Sequence, residues 1–408
     1  MSSLPYHGSL RGTTGSAAHP IRRRRPIDNE GLERSGWEMA APRVSLLRPT
    51  DRAWQTCLEG VRSDIYHHPG YHAFEQSLGH GDAYLALLED GRRGLAWPYL
   101  LRPVNPALDG GSGHTDITSV YGYPGPLAWG LGPGDPFLTD AWAELQAIWR
   151  QQRAVTAFTR FHPLLDNASL AAGFGSGTDE NAAPESVAML GATISIDCSL
   201  SDEEVFATYH RALRQHLRVS RRKGMVTEED PDWQELNTFS AIYAETMDRN
   251  RAADHYLFSS EDFANLRDAL PGRVHLLVTR LEGDVVAAGI FTELDGIVEA
   301  HLVGSRAEFR RLSPTKVLLD DARRWARDRG DPILHLGGGR GGREDSLFRF
   351  KSEFSPRRHP FYTGRWILDE GAYRELVTAH AAASVGPLDD SFFPGYRAPL
   401  SSDDVPPE

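Results

Sequence analysis

The 408-residue chain has almost no cysteine: Cys57 and Cys198 are the only two. That excludes a disulfide framework and a cysteine-based metal site, and it fits a reducing compartment. No run of 18 apolar residues occurs, so no transmembrane helix is expected. The N-terminus has no apolar core of the signal-peptide kind. Excess positive charge is missing too. The net charge is −12, so the chain is not a general polyanion binder, and any nucleic-acid contact must use a local basic patch. Together these absences lead us to expect a cytoplasmic protein. No Ser/His/Asp or Cys/His nucleophile set stands out. His67, His68 and His72 have no carboxylate cluster beside them to complete a metal site, so no metal is expected.

Residues 1–42 are poor in aliphatics and include Arg22 to Arg25; they read as a disordered extension, and Met39 is an alternative start. Order is expected from Val44. The first half reads as short helices, strands at Tyr84 to Leu88 and Gly94 to Leu101, a helix over 136–152 and a strand over Ala154 to Phe161. The second half reads as a strand ending at Asp197, then a long helix over Asp202 to Lys223 capped by Ser201 and Glu204. Helices follow near 233–250 and 260–270, and then strands Val274 to Arg280, Val285 to Glu293 and Ile297 to Val303. Helix Pro314 to Arg329 has proline in its first turn and is closed by Gly330. Strand Ile333 to Leu336, a glycine loop, a short helix, strand Phe361 to Leu368 and helix Glu370 to Ala383 complete the chain. The two halves repeat nearly the same element order.

The densest stretch is ILHLGGGRGGREDSLFRFKSEF, Ile333 to Phe354. Five glycines fill six positions from Gly337 to Gly342, broken only by Arg340. Glycine admits close approach to the main chain, and a loop feeding a helix aims N–H groups at an anion. Asp345 is placed as the helix cap. Gly337, Gly338, Gly339, Arg340 and Arg343 are therefore donor or phosphate-binding candidates. The competing reading is a purely structural turn. Gly337-x-Gly339-x-x-Gly342 does not qualify as a dinucleotide fingerprint, because too little chain follows to build the βαβ array.

Arg211, Arg214, Arg218 and either Arg221 or Arg222 line one stripe of the 202–223 helix. They read either as a phosphate track or as a helix surface balanced by nearby acids such as Glu228 to Asp230. Asp64, Tyr66, His67, Asp116, Tyr121, Tyr123, Arg160 and His162 fall at strand ends and turns and suit an acceptor pocket; turn and core roles compete for each. His301 is either a base for an incoming amine or a satisfied core histidine.

The element order matches the GNAT acyltransferase fold: α/β, here as two tandem GNAT-like domains, each a mixed central sheet flanked by helices. The expected domains are residues 43–190 on the acceptor side and 191–385 on the donor side, followed by a tail over 386–408. The arrangement resembles the Fem-type transferases. The motifs carrying the likeness are LGGG…DSLFRFK, DITSVYGYPGPL (Asp116 to Leu127), TRFHPLL, RALRQHLRVSRRKG, HLVGS (His301 to Ser305) and FFPGYRAP (Phe392 to Pro399). The resemblance implies amide-bond formation from aminoacyl-tRNA onto an amine of a small molecule or a peptidoglycan precursor, with no further cofactor. It also implies a catalytic role for the pair Phe350-Lys351. The long helical arm of many Fem enzymes is not evident. The alternative donor is acyl-CoA. Against it, Ser305 to Pro314 lacks the glycines with which CoA-using GNAT proteins hold pyrophosphate. A non-enzymatic binding module is the third reading.

Overall fold

The computed structural model describes residues 42–171, 174, 186–249, 258–384 and 392–399. The expected N-terminal extension lies outside these residues except for Pro42, as do most of the 167–186 loop and most of the tail.

The first half contains β1 (Arg43–Leu47), α1 (Arg52–Leu58), α2 (Pro69–Ser77), β2 (Asp82–Glu89), β3 (Gly94–Pro103), α3 (Pro106–Asp109), β4 (Thr115–Thr118), β5 (Leu127–Trp129), α4 (Pro136–Gln151) and β6 (Ala154–Arg160). The second half begins with β7 (Val187–Asp197), α5 (Asp202–Thr208), α6 (Arg211–Arg222), β8 (Val226–Glu229), α7 (Leu236–Arg249) and α8 (Ser260–Ala269). It continues with β9 (Val274–Leu281), β10 (Asp284–Leu294), β11 (Ile297–Ser305), α9 (Pro314–Arg329), β12 (Ile333–Gly338), α10 (Ser346–Ser352), β13 (Arg358–Ile367) and α11 (Glu370–Ala383).

One sheet carries both halves, in the order β1-β2-β3-β4-β6-β13-β7-β12-β11-β10-β9-β8, with β5 on β3. Each half is an antiparallel meander that ends in one parallel pair, β4 with β6 and β11 with β12. The expected 190/191 boundary falls inside β7. Strand β13 pairs with β6 on one side and β7 on the other. Helix α11 packs on the first half, where Ala372 and Leu376 join Val104, Val155 and Tyr396. The C-terminal part of the chain thus completes the N-terminal half. Part of the expected tail is docked as well: the Tyr396 hydroxyl lies 2.8 Å from that of Thr156.

The cores follow from apolar spacing. In α4, Leu138, Ala141, Trp142, Leu145 and Trp149 recur at intervals of three and four and are all buried. They meet Trp97, Phe174 and Trp366 over the first half. Full burial of each such side chain stabilises the fold by roughly 1.5–3 kcal/mol. A second core joins the halves: Ile65, Tyr66, Tyr71 and Phe74 pack with Phe239, Tyr243, Phe263 and Ile290.

The single helix expected over 202–223 is two helices. Tyr209 leaves helical geometry at ψ 145°, and the His210 side chain caps α6 by accepting from Ala212 N–H. No proline or glycine marks the break. It is set from outside, by the buried Tyr209 hydroxyl donating to Asp320 (2.8 Å) and His210 N–H donating to the Glu353 carbonyl (2.8 Å).

Candidate active site

The site starts where two strands part. β11 and β12 pair in parallel only at Ile297–Ile333, Val298–Leu334 and Glu299–His335. Beyond that point they diverge, and the gap opens toward the first half. Strand alternation puts Glu299 and His301 on the same face of β11.

The floor of the gap is a buried polar chain. His335 Nδ1–H donates to both Glu299 oxygens at 2.8 Å, and its Nε2 accepts from the Thr193 hydroxyl at 2.8 Å. Asp64, from the turn after α1, accepts from His162 Nε2–H at 2.8 Å and from Ile65 N–H at 2.6 Å. His162 Nδ1 in turn accepts from Leu164 N–H at 3.1 Å. Asp64, His162 and Glu299 bring ligand-type atoms within 4.8 Å of one another. They are the described residues that can hold a cation together. In this arrangement, however, the His162 nitrogen facing Asp64 carries a hydrogen, so the cluster reads as proton-filled. Burial, then the Asp64 carboxylate beside it, holds the Glu299 carboxyl well above the ordinary glutamate value. Burial holds His335 well below the ordinary histidine value, so it is neutral. Glu299 therefore holds its proton to higher pH than a free glutamate, at a point where the two halves meet.

This assignment has a measurable consequence. The native state keeps a proton on Glu299 that the unfolded state gives up. Its stabilising contribution is full below the ordinary glutamate value and is lost as pH rises toward the raised value. Glu299→Gln retains an acceptor for His335 and a donor for Asp64. We expect the variant to lie within about 1 kcal/mol of wild type at neutral pH, and its unfolding midpoint to fall less with rising pH. A variant that unfolds readily at pH 7, or that keeps the wild-type pH slope, removes the assignment. Urea titrations from pH 5 to 9 measure both.

Above the floor lies Lys351, one of only three lysines in the chain. Helix α10 delivers it: Asp345 caps the helix by accepting Phe348 N–H at 2.9 Å, and Lys351 Nζ–H donates to the Gly338 carbonyl at 2.7 Å. Burial pulls Lys351 down to about 8. Gly337 has φ +72°, and a Cβ there would lie 3.3 Å from Lys351 Nζ and 3.6 Å from the Tyr123 hydroxyl. Glycine is thus needed both for its backbone and for the space it leaves to the ammonium. Phe350, one position earlier, faces the other way. It walls a cavity of about 430 Å³ at the start of α9, which Arg249, Ser305, Arg310, Ser313 and Lys316 also line.

The first half closes the gap with aromatic rings. His301 is ringed by Tyr71 (5.8 Å between centroids), Tyr121 (5.9 Å) and Tyr66 (6.3 Å). Its Nδ1 is buried with no hydrogen-bond partner, and burial pulls the imidazole down to about 4, so it is neutral. Tyr123 lies edge-on to His335 at 5.6 Å. Gly122, at φ +99°, gives the Tyr66 ring its space, since a Cβ there would come within 2.1 Å of it. Exposure rises from Glu299 and His335 at the floor, through Lys351, His301 and Tyr123, to Tyr121 at the mouth.

The structure therefore gathers Lys351, His301, Tyr66, Tyr121, Tyr123 and His162 around one gap, with Phe350 on the wall of the cavity at α9. Arg160 lies near the rim, 3.4 Å from the Ser119 hydroxyl. Asp116 is elsewhere: fully buried, it accepts from Arg102 and Arg397 and anchors the docked tail segment, which leaves no oxygen for an acceptor. The glycine loop also differs from expectation. The anion at the α10 N-terminus is the chain's own Asp345, which also takes Arg340 at 3.2 Å, so Gly337 to Gly339 and Arg340 do not form an open phosphate cradle. Gly339 and Gly342 serve close packing, against Arg343 O and Leu190. Arg343 is exposed. Arg211, Arg214, Arg218 and Arg222 line the outer face of α6, turned from its buried Leu213, Leu217 and Ser220. Sequence reasoning missed Glu299, His335, Thr193, Arg249, Arg310 and Lys316. A polar residue inside each apolar strand, Glu299 in IVEAHL and His335 in ILHLGG, was the available signal.

Comparison with known proteins agrees with this fold. Residues 207–352 match the GNAT acetyltransferase domain family. Among solved structures the chain is similar to FemX, at 14% identity and a TM-score of 0.60, over 81% of this chain and 99% of that one. It is also similar to the C-terminal domain of a protein assigned as a lysylphosphatidylglycerol synthetase from Agrobacterium fabrum, at 19% identity and a TM-score of 0.50, over 81% and 95% of the two chains. No curated protein matches. Among the described residues no helix is long and apolar enough to cross a membrane. The chain therefore has a Fem-like tandem GNAT fold, the fold of acyltransferases.

Proposed function

We propose that this protein transfers an aminoacyl group from aminoacyl-tRNA to an amine of a small-molecule or cell-wall-precursor acceptor. The observation that carries the reading is Lys351: a half-buried ammonium held on a backbone carbonyl inside the strand gap, back to back with the wall of a cationic cavity. An aminoacyl ester is already activated, so no covalent enzyme intermediate is required. The acceptor nitrogen attacks the ester carbonyl, and the bond to the ribose oxygen breaks. The neutral His301, with Nδ1 open, takes the proton lost by the amine. Lys351 stabilises the oxyanion and protonates the departing ribose oxygen. The tyrosine rings exclude water that would hydrolyse the ester. The resemblance to Fem-type transferases supports aminoacyl-tRNA as donor.

Acyl-CoA is the second reading, favoured by the place of the cavity at the start of α9. In this chain the backbone there is a poor pyrophosphate cradle. Pro314 has no N–H, Ser313 is left-handed at φ 39°, and Lys316 N–H is used by the Ser313 carbonyl (3.0 Å). The cations are side chains, which serve a nucleotide phosphate of either donor. The test supplies labelled aminoacyl-tRNA and labelled acetyl-CoA separately, with a library of amines. Label moving from tRNA, and abolished by RNase pretreatment, is the expected result. Label moving only from acetyl-CoA overturns the donor.

A further inference from the structure

Helix α6 carries a row of arginines that the fold leaves uncompensated. Arg211, Arg214, Arg218 and Arg222 fall within about 80° of arc at 100° per residue. Leu213, Leu217 and Ser220, all buried, occupy the opposite face. Arg214 reaches the Ala207 carbonyl (3.3 Å), Arg218 lies over the Phe206 ring (5.2 Å) and Arg222 reaches the Arg218 carbonyl (3.3 Å). Among the described residues none of the four makes an ion pair. Arg221, on the flank of the same helix, is bound by Asp320 and Asp321. The acids that follow the helix in sequence are engaged elsewhere. Glu228 accepts from Arg280 (2.8 Å), Glu229 from His275 and Trp325 (each 2.8 Å), and Asp230 from Glu235 N–H (2.7 Å). A chain of net charge −12 thus presents one strip of free positive charge.

The strip is tied to the donor side of the site. His210, the α6 cap, donates its N–H to the Glu353 carbonyl, two residues beyond Lys351. His216 Nε2–H donates to the Leu312 carbonyl at 2.8 Å, in the turn that leads to the cavity at α9. From there the row runs for about 16 Å at 1.5 Å per residue. A polyanion with its reactive end in the gap must leave the protein past some surface, and guanidinium groups suit phosphates in particular.

We propose that the outer face of α6, through Arg211, Arg214, Arg218 and Arg222, is the docking track for the RNA backbone of the aminoacyl-tRNA donor. The inference rests on the donor reading above. The contacts are to phosphates, so they set affinity and position without reading sequence.

The full-length chain is titrated with fluorescently labelled total tRNA. Three forms are compared: wild type, R211Q/R214Q/R218Q/R222Q, and a charge-matched control R52Q/R62Q/R92Q/R150Q, whose four arginines are exposed on the first half. The α6 variant is expected to bind at least about 10-fold more weakly at 0.1 M salt, with a log–log salt slope shallower by about 2–3. Its KM for aminoacyl-tRNA rises by the same factor, with kcat nearly retained. The control loses less than about 2-fold, because scattered charges beyond a Debye length are screened. Equal losses in the two variants, or wild-type binding by the α6 variant, overturn the track. If the wild type transfers from aminoacyl-tRNA and the α6 variant does so equally well, the track fails and the donor reading stands. If the wild type neither binds tRNA nor transfers from it, both fail.

Discussion

Lys351→Met is expected to lower kcat/KM by about 10²–10³, the range for removing one preorganised donor from a developing oxyanion. The variant should stay folded. Methionine fills a similar volume without a charge, and the loss is confined to one hydrogen bond to the Gly338 carbonyl. Leaving that carbonyl unpaired costs about 1–3 kcal/mol, partly offset because no ammonium has to be buried. The pH dependence separates this role from packing. With Lys351 pulled down to about 8, the ammonium form dominates below that value and fades above it, so kcat/KM in the wild type declines as pH rises through about 8. Lys351→Arg keeps the charge at higher pH and is expected to remove that limb from whatever activity remains. The stability term has the opposite sign. The unfolded lysine holds its proton up to its ordinary 10.5 while the native one releases it near 8, so the fold gains stability between these values. From pH 6.5 to 9.5 the rate should therefore fall while the unfolding midpoint of the wild type rises relative to that of Lys351→Met. A Met variant with wild-type kcat/KM rules Lys351 out of the chemistry.

The largest stability effect should come from Asp320, far from the gap. It is fully buried on α9. It accepts from the Tyr209 hydroxyl (2.8 Å), Arg221 (2.5 Å) and Arg323 (3.3 Å), while Arg323, itself 1% exposed, also pairs with Asp202. Asp320→Ala takes from the buried Arg323 one of its two carboxylate partners and from the buried Tyr209 hydroxyl its acceptor, so a loss of about 3–5 kcal/mol is expected. Asp321→Ala removes a partly exposed partner of Arg221 and Arg324 and should cost below about 1 kcal/mol. Urea unfolding of both variants gives the comparison. Equal costs would mean that burial is not what makes Asp320 matter. Because this cluster sets the break between α5 and α6, the Asp320 variant is also expected to disturb the start of the arginine row.

What was legible in the sequence was whatever local chemistry decides. Helix α9 could be read end to end because Pro314 and Gly330 punctuate it, and α11 because Asp369 caps it and Ala383 ends its apolar pattern. Strands β9 to β11 were legible as apolar runs between turns. The α5–α6 break was not, because its cause is a tyrosine and a backbone N–H that meet partners more than 100 residues away. The short edge strand β8 reads as VTEE, which carries little strand signal. At the site, Lys351, His301 and the SVYGYP tyrosines were legible. Of the floor, Asp64 and His162 were legible as pocket candidates; Glu299 and His335 were not, since they come from distant segments and matter only once adjacent. The glycine loop misled for a related reason: spacing shows a helix N-terminus but not that Asp345 already fills it.

The insertion of β13 between β6 and β7 bears on how the protein is made. A ribosome that has delivered everything through the glycine loop has completed neither half, since the first still lacks its neighbouring strand and the helix that packs beside it. The nascent N-terminal half would wait through some 200 further residues with the open edge of β6 unpaired, the kind of edge that invites aggregation. Folding should thus be largely post-translational, and truncation within β13 should yield insoluble chain rather than a shorter enzyme.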